Sequence, residues 1–395
     1  MNSRFCNILC GVLLLAGIIL NATPAEDMLS AAAKTEEGLV AMADNAKNTP
    51  AADAKKKPIL APVAYEAMIL AYADVEVNPK EQYSFKSNYV TKAMNAISKK
   101  YQMPSMDEFL PRLLEHENAK VRAKALSLMP TFLTGISNKN SALCQKIMNT
   151  EKDPIVLGVL IQKLRNEGNK NPGIARFLVS QLDSADAEIR YMATIHCAST
   201  WNNKVQALVD KYVDMILNEK DAKVRSAVCR YAARVGNEAV LAPYEKILAD
   251  KDQAKFHKDA LEGIVILWWN FPLFAFNSQK AYELTVKYLK ELPRSKELPA
   301  MPILQALSMK AQDKTMEKWR AKSPWFKPEE IQPLLAPYVT DNTLRLTERT
   351  KAIKALWNMG YTAEQLAALV AECEATGTEK PSDLKQLDKT LKDLK

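Results

Sequence analysis

His196 and Cys197 have the residue types of a general base and a thiol nucleophile. Adjacent positions on a helix point about 100° apart, which turns the ring away from the sulfur and argues against that chemistry. The remaining histidines, His116 and His257, fall at other phases of the repeat described below, so the three do not converge as metal ligands. HExxH, paired CxxC, GxSxG and glycine-rich phosphate-loop patterns are missing, and 11 glycines in 395 residues leave little material for such loops. The sequence thus presents no catalytic, metal-binding or cofactor-binding set and points to a protein that is not an enzyme.

Binding chemistry is better represented. In residues 314–328, KTMEKWRAKSPWFKP, the cations Lys318, Arg320 and Lys322 interleave with Trp319, Trp325 and Phe326, and Glu317 is the one acid. Charge and ring stacking together can hold an anionic polysaccharide or lipid headgroups, so these six residues are candidate contacts. A second aromatic run, VILWWNFPLFAFN at residues 265–277, contributes Trp268 and Trp269, followed by Phe271, Phe274 and Phe276. It reads either as a hydrophobic joint between groups of helices or as an exposed platform for a sugar or peptide.

The elements that must position these residues announce themselves by repetition. NAKVRAKA, DPIVLGVL, DAEIRYMA, DAKVRSAV and QAKFHKDA begin at Asn118, Asp153, Asp186, Asp221 and Gln253, at intervals of 35, 33, 35 and 32 residues. Each opens a segment with apolar residues three and four apart, the spacing of one helix face. Asn or Asp opens four of the five and can accept from the unpaired amides of a first turn. Another helical segment precedes each one, giving antiparallel helix pairs. Ser105 with Glu108 is expected to form a capping box, Asn171-Pro172 to start a helix, and Gly135 and Gly236 to end helices.

An acidic or amide residue, a β-branched residue, then Arg122, Arg190 or Arg225 resembles the HEAT repeat over residues 105–270. The resemblance implies an all-α fold, a right-handed α-solenoid of stacked antiparallel helix pairs with further C-terminal helices. It also implies Asp–Arg ladders between units, built here from Asn118, Arg122, Asp153, Asp186, Arg190, Asp221 and Arg225. Leu157 and His257 replace the arginine in the second and fifth units. HEAT-like repeats serve unrelated functions, phycobilin lyases and certain DNA glycosylases included, so the resemblance assigns no activity.

Arg4, the apolar run of residues 8–20 and NATPA have the three-part pattern of a secretory signal, with cleavage expected after Ala25. The run is short for a membrane span of about 20 residues, which makes an N-terminal membrane anchor the weaker alternative. Residues 26–57, rich in alanine and charge, are expected to form a flexible tether, and residues 58–104 an N-terminal capping pair. Residues 271–395 keep helical patterning without the period, with Thr362 and Gln365 as a capping box after Gly360. Residues 26–395 carry 53 basic and 46 acidic side chains; so mild and dispersed an excess, with export, argues against nucleic acid. Four cysteines remain after processing; Cys197 and Cys229 are close enough in repeat phase to make a disulfide worth testing. The expected function is an exported, periplasmic or secreted scaffold for a protein partner or envelope component, with anionic glycan or lipid binding, or a lyase-like enzyme, as alternatives.

Overall fold

The structure is a computed structural model. It describes residues 23–53, 55–76, 88–129, 138–169, 171–199, 202, 204–269, 276–294, 299–309, 313–375, 377 and 380–394. The signal pattern through residue 22, Gly135, Phe271 and Phe274 lie outside that set. Among the described residues the fold is all-α, and extended pairing is confined to isolated bridges from Ile59 to Thr49 and Gln102. The chain divides into two compact units, Met1–Leu160 and Ile161–Lys395.

In the first unit, α1 (Pro24–Ser30), α2 (Glu36–Asp44), α3 (Pro62–Leu70) and α4 (Tyr89–Lys100) pack together, α1 on α3 and α2 on both α3 and α4. The expected tether is therefore corrected to a folded segment. Leu39, Met42 and Ala43 form a short apolar stripe that is fully covered, and Asp44 accepts from Lys100 Nζ at 2.7 Å and Tyr101 Oη at 3.0 Å. Composition suggested disorder because alanine and charge outnumber large apolar side chains. Three well-placed residues suffice once a partner helix covers them.

The cleavage expected after Ala25 would fall inside α1. Thr23 caps α1 in a capping box with Glu26, and Ala25 is 0% exposed. A chain cut after Ala25 loses both; a folded chain that keeps α1 whole starts at or before Thr23. A protein beginning at Glu26 should be less stable in urea than one beginning at Thr23 by about 1–2 kcal/mol, the scale of a lost cap and a lost buried methyl. Equal midpoints and slopes for the two would count against a structural role for residues 23–25.

The repeat starts are helix caps, as their chemistry requires. Asn118 accepts from the Lys120 amide, opening α6 (Ala119–Leu128), after the short α5 (Leu110–Leu114). Past α7 (Asn138–Thr150), Asp153 accepts from Ile155 N at the start of α8 (Pro154–Leu164). In the second unit Asn171 caps α9 (Pro172–Leu182), Asp186 caps α10 (Ala187–Cys197), and Asp221 caps α12 (Ala222–Tyr231) after α11 (Gln206–Asn218). Gln253 gives no side-chain cap to α14 (Ala254–Ile266), which follows α13 (Leu241–Ala249). Ser105 makes no capping box: its hydroxyl takes the Asp107 amide, and the helix begins only at Leu110. Gly236 and Gly360 have φ of 78° and 101°, the left-handed values that end a helix most cheaply at glycine.

The arginines pair differently from the Asp–Arg ladder that the resemblance implies. Arg122 binds Glu151 through Nε at 2.9 Å and Nη2 at 3.1 Å, and Arg190 binds Glu219 at 2.9 Å through both. Each partner lies 29 residues downstream and two before the next cap. The cap carboxylates are occupied by their own first-turn amides, which leaves the preceding glutamate for the guanidinium. Arg225 meets Ala254 at the equivalent place, so its Nε donates to the Ile216 carbonyl and its guanidinium lies 4.6 Å from the Phe256 ring centroid. Arg230 instead takes the 29-residue step, to the buried carboxylate of Asp259.

Helix order in the second unit follows one rule. First helices contact in the order α9, α11, α13, and second helices in the order α10, α12, α14. The second-helix row then runs on beyond the sequence period, through α16 (Met301–Leu307), α20 (Leu346–Asn358) and α22 (Pro381–Lys392). Between them lie α15 (Gln279–Glu291), α17 (Asp313–Lys322), α18 (Pro328–Leu335), α19 (Pro337–Thr340) and α21 (Ala363–Ala375). Thr362 and Gln365 form the capping box of α21. Cys197 and Cys229 are buried thiols with no bridge between them, and the Cys373 thiol donates to the Val339 and Leu369 carbonyls.

Candidate binding cleft

The two aromatic segments, some 50 residues apart, meet in one cluster in the second unit. Trp268 and Trp269 follow the end of α14, Tyr282 lies on α15, Trp319 on α17, and Trp325 and Phe326 in the turn before α18. Trp268 stands edge-on to Tyr282 at 5.1 Å between centroids, Trp269 edge-on to Trp319 at 5.4 Å, and Trp319 lies 5.0 Å from Phe326. Two of the indole donors are satisfied inside: Trp268 Nε1 donates to Thr285 Oγ1 at 2.8 Å, and Trp319 Nε1 to the Phe276 carbonyl at 3.2 Å.

Trp268, Trp269 and Trp319 are at most 2% exposed, so they are core residues and cannot offer ring faces to a ligand. This corrects their expected role as contacts and decides for the hydrophobic joint, because burying indoles this large outweighs displaying them. Trp325 and Phe326 are half-buried in the same cluster. Lys318, Arg320 and Lys322 stay exposed and remain available to an anion by charge.

His196 and Cys197 do not make a nucleophile. Burial, aided by Arg165, pushes the His196 imidazole down to about 4, and burial raises the Cys197 thiol far above its ordinary value. Both are neutral near pH 7, and a neutral buried thiol is inert. Burial similarly lifts Cys229 to about 12. Among the described residues no group of three or more His, Cys, Asp or Glu side chains is placed to hold a metal.

A cleft of about 590 Å³ opens elsewhere in the second unit, along the second-helix row. Its apolar wall is built by Leu248 of α13, Leu261 of α14, Leu292 after α15, and Met301 and Pro302 of α16. Polar groups enter from three helices: His257 and Lys258 on α14, Tyr288 on α15, and Arg345 and Glu348 at the start of α20. His257 Nε2 lies 3.0 Å from the Asp250 carbonyl, which can only accept, so that nitrogen carries the proton. Burial lifts the Tyr288 hydroxyl to about 12, with Glu245 and Glu291 adding to it, so it is a neutral donor at pH 7. Glu348 is 7% exposed, and its Oε2 is buried with no hydrogen-bond partner among the described residues.

Such a volume lies in the range of about 300–1,000 Å³ typical of small-ligand clefts, and an apolar wall with a few convergent polar groups is their usual lining. Sequence reasoning met only His257 here, as a departure from the arginine pattern. A usable signal did exist. Glu348 and Arg349 stand four and seven residues before Ala352, Ala355, Ile353 and Leu356, so both charges lie on the buried face of α20. The chain matches no protein-family model, and no curated protein matches it either.

Proposed function

We propose that the protein is a non-enzymatic binding scaffold, a right-handed α-solenoid of stacked HEAT-like helix pairs that holds a protein partner or an envelope component. The observation that carries this reading is the unbroken second-helix row, α10–α12–α14–α16–α20–α22, in which each helix contacts the next. Elements stacked by nearest-neighbour contact gain stability from each addition and present long surfaces to a partner. The cleft between α14, α16 and α20 lies on that row and supplies a defined seat.

We place the protein outside the cytoplasm, periplasmic or secreted, on the strength of the apolar run and small residues near its N-terminus. Among the described residues no helix is long and apolar enough to cross a membrane. Binding to anionic glycans or lipid headgroups through Lys318, Arg320 and Lys322 is the second reading, favoured by their exposure and now resting on charge without stacking by Trp319.

A tagged chain of residues 23–395, incubated with solubilised envelope and secreted fractions, separates the two by mass spectrometry of what it retains. The scaffold reading expects one recurrent protein retained at moderate and high salt. Retention of glycan or lipid alone, lost as salt rises, would overturn it in favour of the basic segment. Nothing retained at any salt concentration would remove both.

A further inference from the structure

We infer that the cleft takes a zwitterionic ligand of the short apolar peptide class, its ammonium group on Glu348 and its carboxylate on Lys258 and Arg345. The inference rests on the reading of this chain as a binding protein and names what its cleft accepts. A carboxylate oxygen buried without a partner is costly, and native structures tolerate one where a ligand supplies the missing donor. Glu348 carries such an atom: Oε2 is closed to solvent, on a side chain that lines the cleft. An ammonium group in the cleft answers the carboxylate by its opposite charge, and a small turn of the side chain brings the oxygen within reach of its N–H donors.

The opposite end of the ligand follows from the cations. Lys258 and Arg345 line the same cleft and are exposed, so their charged groups are free to meet a carboxylate. Arg345 is the N-cap of α20 and Glu348 its third helical residue, so the two side chains leave the same end of the helix. An anion and a cation so placed match a ligand that carries both charges, and repel a plain fatty acid at the Glu348 end. Neither α14 nor α20 starts with a capping side chain, so their first-turn amides add to the attraction for a carboxylate. Between the charged groups, Leu261, Leu292 and Met301 give the ligand's apolar side chains a surface, and 590 Å³ has room for several residues.

Isothermal titration calorimetry of the chain of residues 23–395 with Leu-Leu-Leu tests this directly. Trileucine should bind, N-acetyl-trileucine and trileucine amide should each bind at least tenfold more weakly, and dodecanoate should not compete. Glu348→Gln should weaken trileucine at least tenfold and erase the difference between the free and acetylated peptides, whereas Lys258→Ala should erode the preference over the amide. The blocked peptides keep the test on the unaltered protein even where a variant folds poorly. Absence of trileucine binding at millimolar concentration, equal binding of all three peptides, or tighter binding of dodecanoate would each overturn the inference. A protein retained from the envelope fraction despite any of these would leave the scaffold reading standing and sink the cleft assignment alone.

Discussion

Trp268→Ala is expected to destabilise the second unit by about 3–5 kcal/mol, the range for deleting a buried large aromatic. Trp268 is completely buried and touches Trp269, Tyr282, Trp319 and Phe326, so its loss empties the centre of the joint between α14, α15 and the turn before α18. Thr285 Oγ1 keeps its own hydrogen bond to the Ala281 carbonyl at 2.9 Å, so the penalty comes from the cavity and lost ring contacts rather than from an orphaned donor. Urea unfolding followed by near-ultraviolet circular dichroism reads the effect. Trp325→Ala, at a half-buried position, should cost markedly less. Similar losses for the two would show that the rings do not form one packed centre.

Arg190→Ala is expected to cost about 3–5 kcal/mol, because it leaves a buried carboxylate without its charge partner. The Glu219 side chain is 6% exposed, and the Arg190 guanidinium is its bidentate partner. Adding Glu219→Gln to the variant should recover part of the loss, since the charge stranded by the first change is then gone. The pH dependence has a definite sign. Burial pushes the Glu219 carboxyl up, but Arg190 and the Asp221 amide together outweigh it and hold the group below its ordinary value of 4.5. A carboxylate lowered in the folded state adds stability that is complete above the unfolded value and is lost as pH falls through the folded one. The penalty of Arg190→Ala should therefore be largest near neutrality and shrink as the medium is acidified below about 4.5. A penalty independent of pH would assign the loss to packing of the arginine stem instead.

Local chemistry was the legible part of this chain. The caps at Asn118, Asp153, Asp186 and Asp221 depend on a side chain and amides two or three positions away, so residue type and spacing suffice. The covered residues Val121, Ile189, Val224 and Ala260 likewise follow from helix phase. Features joining distant positions were not legible. Glu151 and Glu219 look like loop acids until the arginine 29 residues upstream is seen to reach them. The aromatic joint brings Trp268 to Trp319 across α15 and α16, and nothing in either segment says whether its rings face inward. Residues 26–57 were misjudged because composition averages over a segment, while folding used the three residues Leu39, Met42 and Ala43. The cleft draws polar groups from α14, α15 and α20, and only the charge on the buried face of α20 left a trace in the sequence.

The arginine-to-glutamate step also bears on how such a chain can change length over generations. The copies that hold Arg122 and Arg190 each carry a donor in the second helix and rely on an acceptor two residues before the next cap, 29 residues on. A duplicated segment spliced in at matching positions, from one cap to the next, brings its own donor and acceptor and restores the broken link on both sides. Gene duplication can thus lengthen the array without inventing a bond. Where a copy has drifted, as at Ala254, the lone arginine settles on a carbonyl and an aromatic ring, and the break stays local.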